Sequence, residues 1–233
     1  MDLDVQGKPK PPARSRGKRR QTRAERSESM LRALFDAAAE VVGEVGYAEA
    51  SIAKITSRAK VAQGTFYNYF ASQQDLFDQL LPRFGVNMVE YIRDRVDRRA
   101  RGAEREVQRL RAYFQFLEEH PEFYRILYEA ETLAPAAHRK HMEYLSAGYV
   151  RALRRSWERG EMPECFEPRD LEPVAFMLLG ARGYLSMRYG AGHDGGPVPE
   201  WVVRAYEKVI RHGILRDVPA EGGREAVDDD QRD

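Results

Sequence analysis

Two short helical periods separated by only three residues lie between Ser51 and Phe70, and few architectures accept so tight a pair. Ser51 can take a hydrogen bond from a free N–H of a first helical turn, after which Ile52, Ile55 and Ala59 recur on one face. Lys60, Val61 and Ala62 leave room for a turn alone, and Phe66 and Phe70 then stand four apart on the buried side of a second short helix. The opposite side carries Gln63, Thr65, Tyr67 and Asn68, whose amides and hydroxyls suit base edges and phosphates, while Gly64 lets the backbone approach DNA closely. The spacing predicts a DNA-binding helix-turn-helix. An ordinary helical hairpin with aromatic filling is the competing reading, and for Phe66 and Phe70 the core role holds in both.

The residues from Gly46 to Leu76 resemble the DNA-binding domain of the TetR family of bacterial transcriptional regulators. The resemblance is carried by Gly46-Tyr47, the capping Ser51, the run Gly64-Thr65-Phe66-Tyr67-Asn68-Tyr69-Phe70, then Ser72 and Asp75-Leu76. It implies a DNA face formed by Ser51, Gln63, Gly64, Thr65, Tyr67, Asn68, Tyr69 and Gln73. It also implies an all-α chain of about nine helices, with a three-helix DNA-binding domain followed by a helical bundle for ligand binding and dimerisation. Two positions depart from the family pattern. Lys60 stands where the turn usually has glycine and must accept a left-handed conformation. Gln73 stands where a phosphate-binding lysine is common.

The rest of the chain divides by composition. Residues 1–26 are rich in Lys, Arg, Pro and Gly with almost no apolar side chains, so a disordered basic arm is expected there. Residues 27–81 make the DNA-binding domain, opening with a helix from Ser27 or Ser29 whose stripe is Leu31, Leu34, Phe35, Ala38, Val42 and Val45. Ser72 caps a fourth helix that Pro82 should kink or restart. Residues 82–216 form the body, with helices expected over 104–120, 122–133, 136–159, 170–189 and 200–215, and residues 217–233 a disordered acidic tail.

Several function classes find no support. Across 233 residues no apolar run reaches the roughly 18 expected of a membrane span. Cys165 is the single cysteine, which excludes an internal disulfide and fits a cytoplasmic protein. His138 and His141 stand three apart with no third ligand evident, so neither metal nor other cofactor is expected. No nucleophile–base set or phosphate-binding loop suggests an enzyme. A partner-binding scaffold with a weakened helix-turn-helix remains the alternative to a regulator.

In the body, aromatic residues at helical spacing fill a bundle by default. The resemblance adds a second role, an effector pocket, for which Phe114, Tyr124, Tyr128, Met142, Tyr149 and Met177 are the candidates. It likewise places a homodimer interface on the last two helices, through Phe176, Leu179, Gly180, Gly183, Trp201 and Tyr206. The expected partners are thus a double-stranded DNA operator, a small-molecule effector and a second copy of the chain. The expected activity is repression relieved by that effector.

Overall fold

The computed structural model describes residues 22–190 and 196–214, and within them the chain forms nine α-helices, one 3₁₀ turn and no strand. The first helix, α1 (Arg23–Val45), begins earlier than its apolar stripe suggests. Thr22 Oγ1 accepts from the Glu25 N–H at 3.1 Å and the Glu25 carboxylate accepts from the Thr22 N–H at 2.7 Å, a reciprocal cap. Residues 23–26 are therefore helical and not part of an arm; they face solvent, so a search for apolar periodicity passes over them. The arm before Thr22 and the acidic tail at 217–233 lie outside the described residues.

The two short periods fold as α2 (Ile52–Arg58) and α3 (Gln63–Phe66). Ser51 caps α2, its Oγ accepting from the Lys54 N–H at 3.3 Å. Both pack on α1 through Leu34, Phe35, Ile55, Phe66 and Phe70, all buried. Phe35 and Phe70 meet edge to face with ring centroids 5.3 Å apart. Burial of each such side chain contributes about 1.5–3 kcal/mol, which explains how helices of seven and four residues stand at all.

Of the two outcomes expected at Pro82, a kink or a restart, the restart does not occur. The fourth helix, α4 (Gln73–Arg95), is continuous, with Pro82 inside it. Proline removes one main-chain hydrogen bond, but Leu80 and Leu81 are buried before it and Met88 and Ile92 after it. Packing on both sides outweighs that loss. The helix therefore runs unbroken from the helix-turn-helix region into the helices that follow.

The body adds α5 (Gly102–Glu119), α6 (Glu122–Leu133), α7 (Pro135–Glu158), α8 (Leu171–Tyr189) and α9 (Glu200–His212). The last ends three residues before the predicted stop because Gly213 turns the chain at φ 72°. α4 and α7 run the same way: the His141 ring lies over Gly85, and past both helix ends the Gly102 N–H donates to Glu161 at 3.3 Å. α5 returns between these levels, bringing Phe116 against Tyr91. The body thus has a near end beside α1 and α6 and a far end around Arg98, Arg105 and Glu161.

Candidate nucleic-acid interface and body cavity

The second short helix presents the polar residues to solvent. Tyr67 is 59% exposed, Gln63, Gly64 and Asn68 are exposed, and Thr65 is half-buried at the edge of the same face. No atom lies within 4 Å of the place a Gly64 Cβ would occupy, so a surface can approach the backbone there. Tyr69 is set differently from its neighbour: it is half-buried against the core, with its hydroxyl 3.4 Å from Ser27 Oγ. Gln73 is also committed inward, its amide donating to the Ala50 carbonyl at 2.9 Å. Lys60 takes the left-handed conformation at φ 58°, and the turn closes through Lys60 N–H to Ser57 O at 3.1 Å and Val61 N–H to Thr56 O at 3.0 Å.

With this geometry in place, a comparison decides the domain. Residues 34–80 match the family described as bacterial regulatory proteins, tetR family. This DNA-binding domain is of the TetR family. The chain is 38% identical over 66 residues, 27% of its length, to the fatty acid metabolism regulator protein of Bacillus subtilis, covering 34% of that protein. It is 31% identical over 113 residues, 48% of its length, to the HTH-type transcriptional activator FasR of Mycolicibacterium smegmatis, covering 51%. The chain thus spans about a third to a half of the length of these curated relatives. The transcriptional regulator FadR of Bacillus subtilis, solved in complex with stearoyl-CoA, shares the fold with a TM-score of 0.67 at 19% identity, over 79% of this chain and 99% of that one.

The TetR domain is held to the body by a clamp that only the structure reveals. Arg125 of α6 donates to the carbonyls of Glu44 at 3.0 Å and Gly43 at 3.4 Å, at the end of α1. Glu129, one turn on, accepts from the Tyr47 N–H at 2.8 Å and from Arg125 Nε at 2.6 Å. Between them passes Gly46, at φ 82°, where a Cβ would stand 2.7–2.9 Å from both side chains. A cation on the last carbonyls and an anion on the next free N–H complete the end of α1 from another domain. The opposite side of α6 carries Leu127 and Tyr128 into the body cavity.

That cavity has a volume of about 990 Å³ and is walled by α4, α5, α6, α7 and α8. Of the six pocket candidates, Tyr128, Met142 and Tyr149 line it. The other three do not. Phe114 is buried in the core, Met177 is 70% exposed outside the cavity, and Tyr124 packs on Tyr128, centroids 4.4 Å apart, without reaching the lining. Helical spacing marks all six as apolar-face residues and cannot say which neighbour each face meets.

Four residues expected at a dimer interface also line the cavity: Phe176, Leu179, Gly180 and Gly183. A Cβ at Gly180 would meet nothing within 4 Å, and one at Gly183 would face the Tyr128 hydroxyl 3.8 Å away. Within this chain both glycines border open space. Tyr206 is buried within its own chain, donating to Glu106 Oε1 at 2.8 Å. Trp201, 53% exposed and edge-on to Tyr189, and Phe176, 47% exposed, are the interface candidates exposed at the surface of this chain.

Glu106 anchors a buried polar network that the sequence does not announce. Its Oε1 accepts from Arg182 Nη2 at 2.8 Å and from the hydroxyls of Tyr206 and Tyr149, while Arg109 stands 3.5 Å from Oε2. Burial raises the Glu106 pKa, but Arg182, Tyr149 and Arg109 outweigh it and hold the carboxylate below its ordinary value. At the near end of the cavity, burial with some help from His138 pushes His141 down to about 4, so its ring is neutral. Among the described residues no three groups are placed to hold a metal, and no helix is long and apolar enough to cross a membrane.

Proposed function

We propose that the chain is a DNA-binding transcriptional regulator that acts as a homodimer on a two-fold operator and is controlled by a small molecule in the body cavity. The observation that carries this is the exposed polar face of Gln63, Tyr67 and Asn68 on a TetR-family helix-turn-helix. Relatives named as transcriptional regulators, one of them for fatty acid metabolism, support the same reading. The dimer reading rests on the apolar surface of α8 and α9, where Met177, Tyr184 and Trp201 are exposed. The effector reading rests on the cavity: its near walls are apolar, with Met88, Val89, Leu127 and Leu145, and FadR of Bacillus subtilis was solved with stearoyl-CoA. A fatty-acyl effector fits both facts.

A mobility shift on the promoter beside the protein's own gene, repeated across salt concentrations, tests the DNA reading. Tyr67→Ala should weaken binding by about 1–3 kcal/mol with the fold intact. Unchanged affinity in a folded variant removes Tyr67 from the DNA face.

A further inference from the structure

The cavity lining is graded along its length, and the grading follows helix order. On α7 it passes from Met142 and Leu145 at the near end to Arg151 and Arg155 at the far end, and on α4 from Met88 to Arg93. At 1.5 Å per residue, Met142 and Arg155 lie about 20 Å apart along the helix. α6 closes the near end with Leu127 and Tyr128, while the first turns of α5 bring Arg105 and Arg109 to the far end.

Positive charge at the far end exceeds its local compensation. Arg109 shares Glu106 with Arg182, and Arg105 shares Glu161 with Arg101 and Arg159. Arg98, Arg151 and Arg155 have no carboxylate within 4.0 Å among the described residues, and Asp97 is the one acidic side chain lining that end. Arg105 itself is destabilised as a cation by burial, with Arg159, Arg109 and Arg101 adding to the effect against Glu161. Guanidinium groups gathered on a concave wall raise the local concentration of anions, and their planar forks match phosphate oxygens in pairs.

We propose that the cavity takes its ligand lengthwise, with a phosphate-bearing, multiply charged head among the far-end arginines and a hydrocarbon chain running toward α6 and His141 beside the DNA-binding domain. The proposal rests on the body being the effector site, and it adds which end of the ligand does what. The head sets affinity and its salt dependence. The chain end alone reaches α6, whose other side holds α1, so chain length governs whether occupancy is felt by the TetR domain.

Titration calorimetry on the full chain with stearoyl-CoA, hexanoyl-CoA, stearate and coenzyme A tests this. Stearoyl-CoA should bind at least about tenfold more tightly than stearate at low salt, and added salt should erode the advantage. The double variant Arg151→Gln, Arg155→Gln should remove most of that advantage, weakening stearoyl-CoA far more than the singly charged stearate. Leu127→Phe, which shortens the near end, should weaken stearoyl-CoA several-fold and spare hexanoyl-CoA; Met88→Phe is the second variant should α6 not tolerate the first. Equal affinities for stearoyl-CoA and stearate, or equal loss for both thioesters in the near-end variants, overturn the lengthwise arrangement while leaving an acyl effector standing. If neither long-chain probe binds, the acyl effector falls; coenzyme A binding that is lost in the arginine variant then retains the head subsite, and no binding of any probe removes that as well.

Discussion

Lys60 is the one non-glycine residue at positive φ among the described residues, and it stands in the turn that sets the angle between α2 and α3. A side chain in the left-handed region costs about 1–2 kcal/mol, yet the turn closes through the Lys60 and Val61 N–H groups, which donate to Ser57 and Thr56. Lys60 thus adopts the conformation that the family's glycine would take there without a side-chain penalty. Lys60→Gly should stabilise the domain by about 0.5–1 kcal/mol, the relieved strain being partly offset by the extra freedom of glycine in the unfolded chain. Urea unfolding of the two proteins measures it, and a less stable glycine variant would show that Lys60 makes a compensating contact. Gln73 follows a similar logic: its amide is spent on Ala50, tying the start of α4 to the loop before α2.

At the scale of the element, α6 is a helix with two employments. One side completes the end of α1 through Arg125 and Glu129, and the other faces the cavity. Burial raises the Glu129 pKa, but the hydrogen bonds from Arg125 and from the Tyr47 N–H more than offset this and hold it below the ordinary 4.5. For a carboxylate lowered on folding, the stabilisation is full above the unfolded pKa and disappears as pH falls through the folded one. Glu129→Gln should therefore cost about 1–2 kcal/mol near pH 7, and the gap to the parent protein should close in acid, below 4.5. Urea midpoints at neutral and acid pH give the comparison; a gap that persists in acid means that shape, and not charge, makes the clamp. α4 joins the same two regions by a different route, with His141 seated over Gly85 where any Cβ would stand 2.2 Å from the ring.

For the whole molecule, the proposed control is a linkage between two sites joined by α4 and α6. An effector that weakens DNA binding must itself be bound less tightly by the operator complex, by the same factor. The arrangement also requires two recognition helices at a fixed separation of one DNA turn or a multiple of it. Trp201, the exposed aromatic on α9, is where that requirement is most directly probed. Trp201→Glu should shift the protein toward monomer in sedimentation and abolish operator binding together with it. Dimers that survive the change would move the interface off this face of α9.

The amino-acid sequence by itself determined the helix-turn-helix, because caps, turn and apolar spacing there act between residues a few positions apart. Ser51, Lys60, Phe66 and Ser72 do in the structure what their neighbours in sequence require of them. Helix limits were also legible where Pro and Gly punctuate the body, and α6 runs over the predicted 122–133. Tertiary structure alone decided which residue faces what. The Glu106–Arg182 pair joins positions 76 apart and the Glu129–Tyr47 bond positions 82 apart, and no local pattern encodes either. Phe114 and Tyr149 share the same helical signature, yet one fills the core and the other lines the cavity. Periodicity reports that one side of a helix is covered. What covers it, another helix, a ligand space or a second chain, depends on how the helices pack, and for that reason spacing alone does not reveal that Gly180 and Gly183 border the cavity.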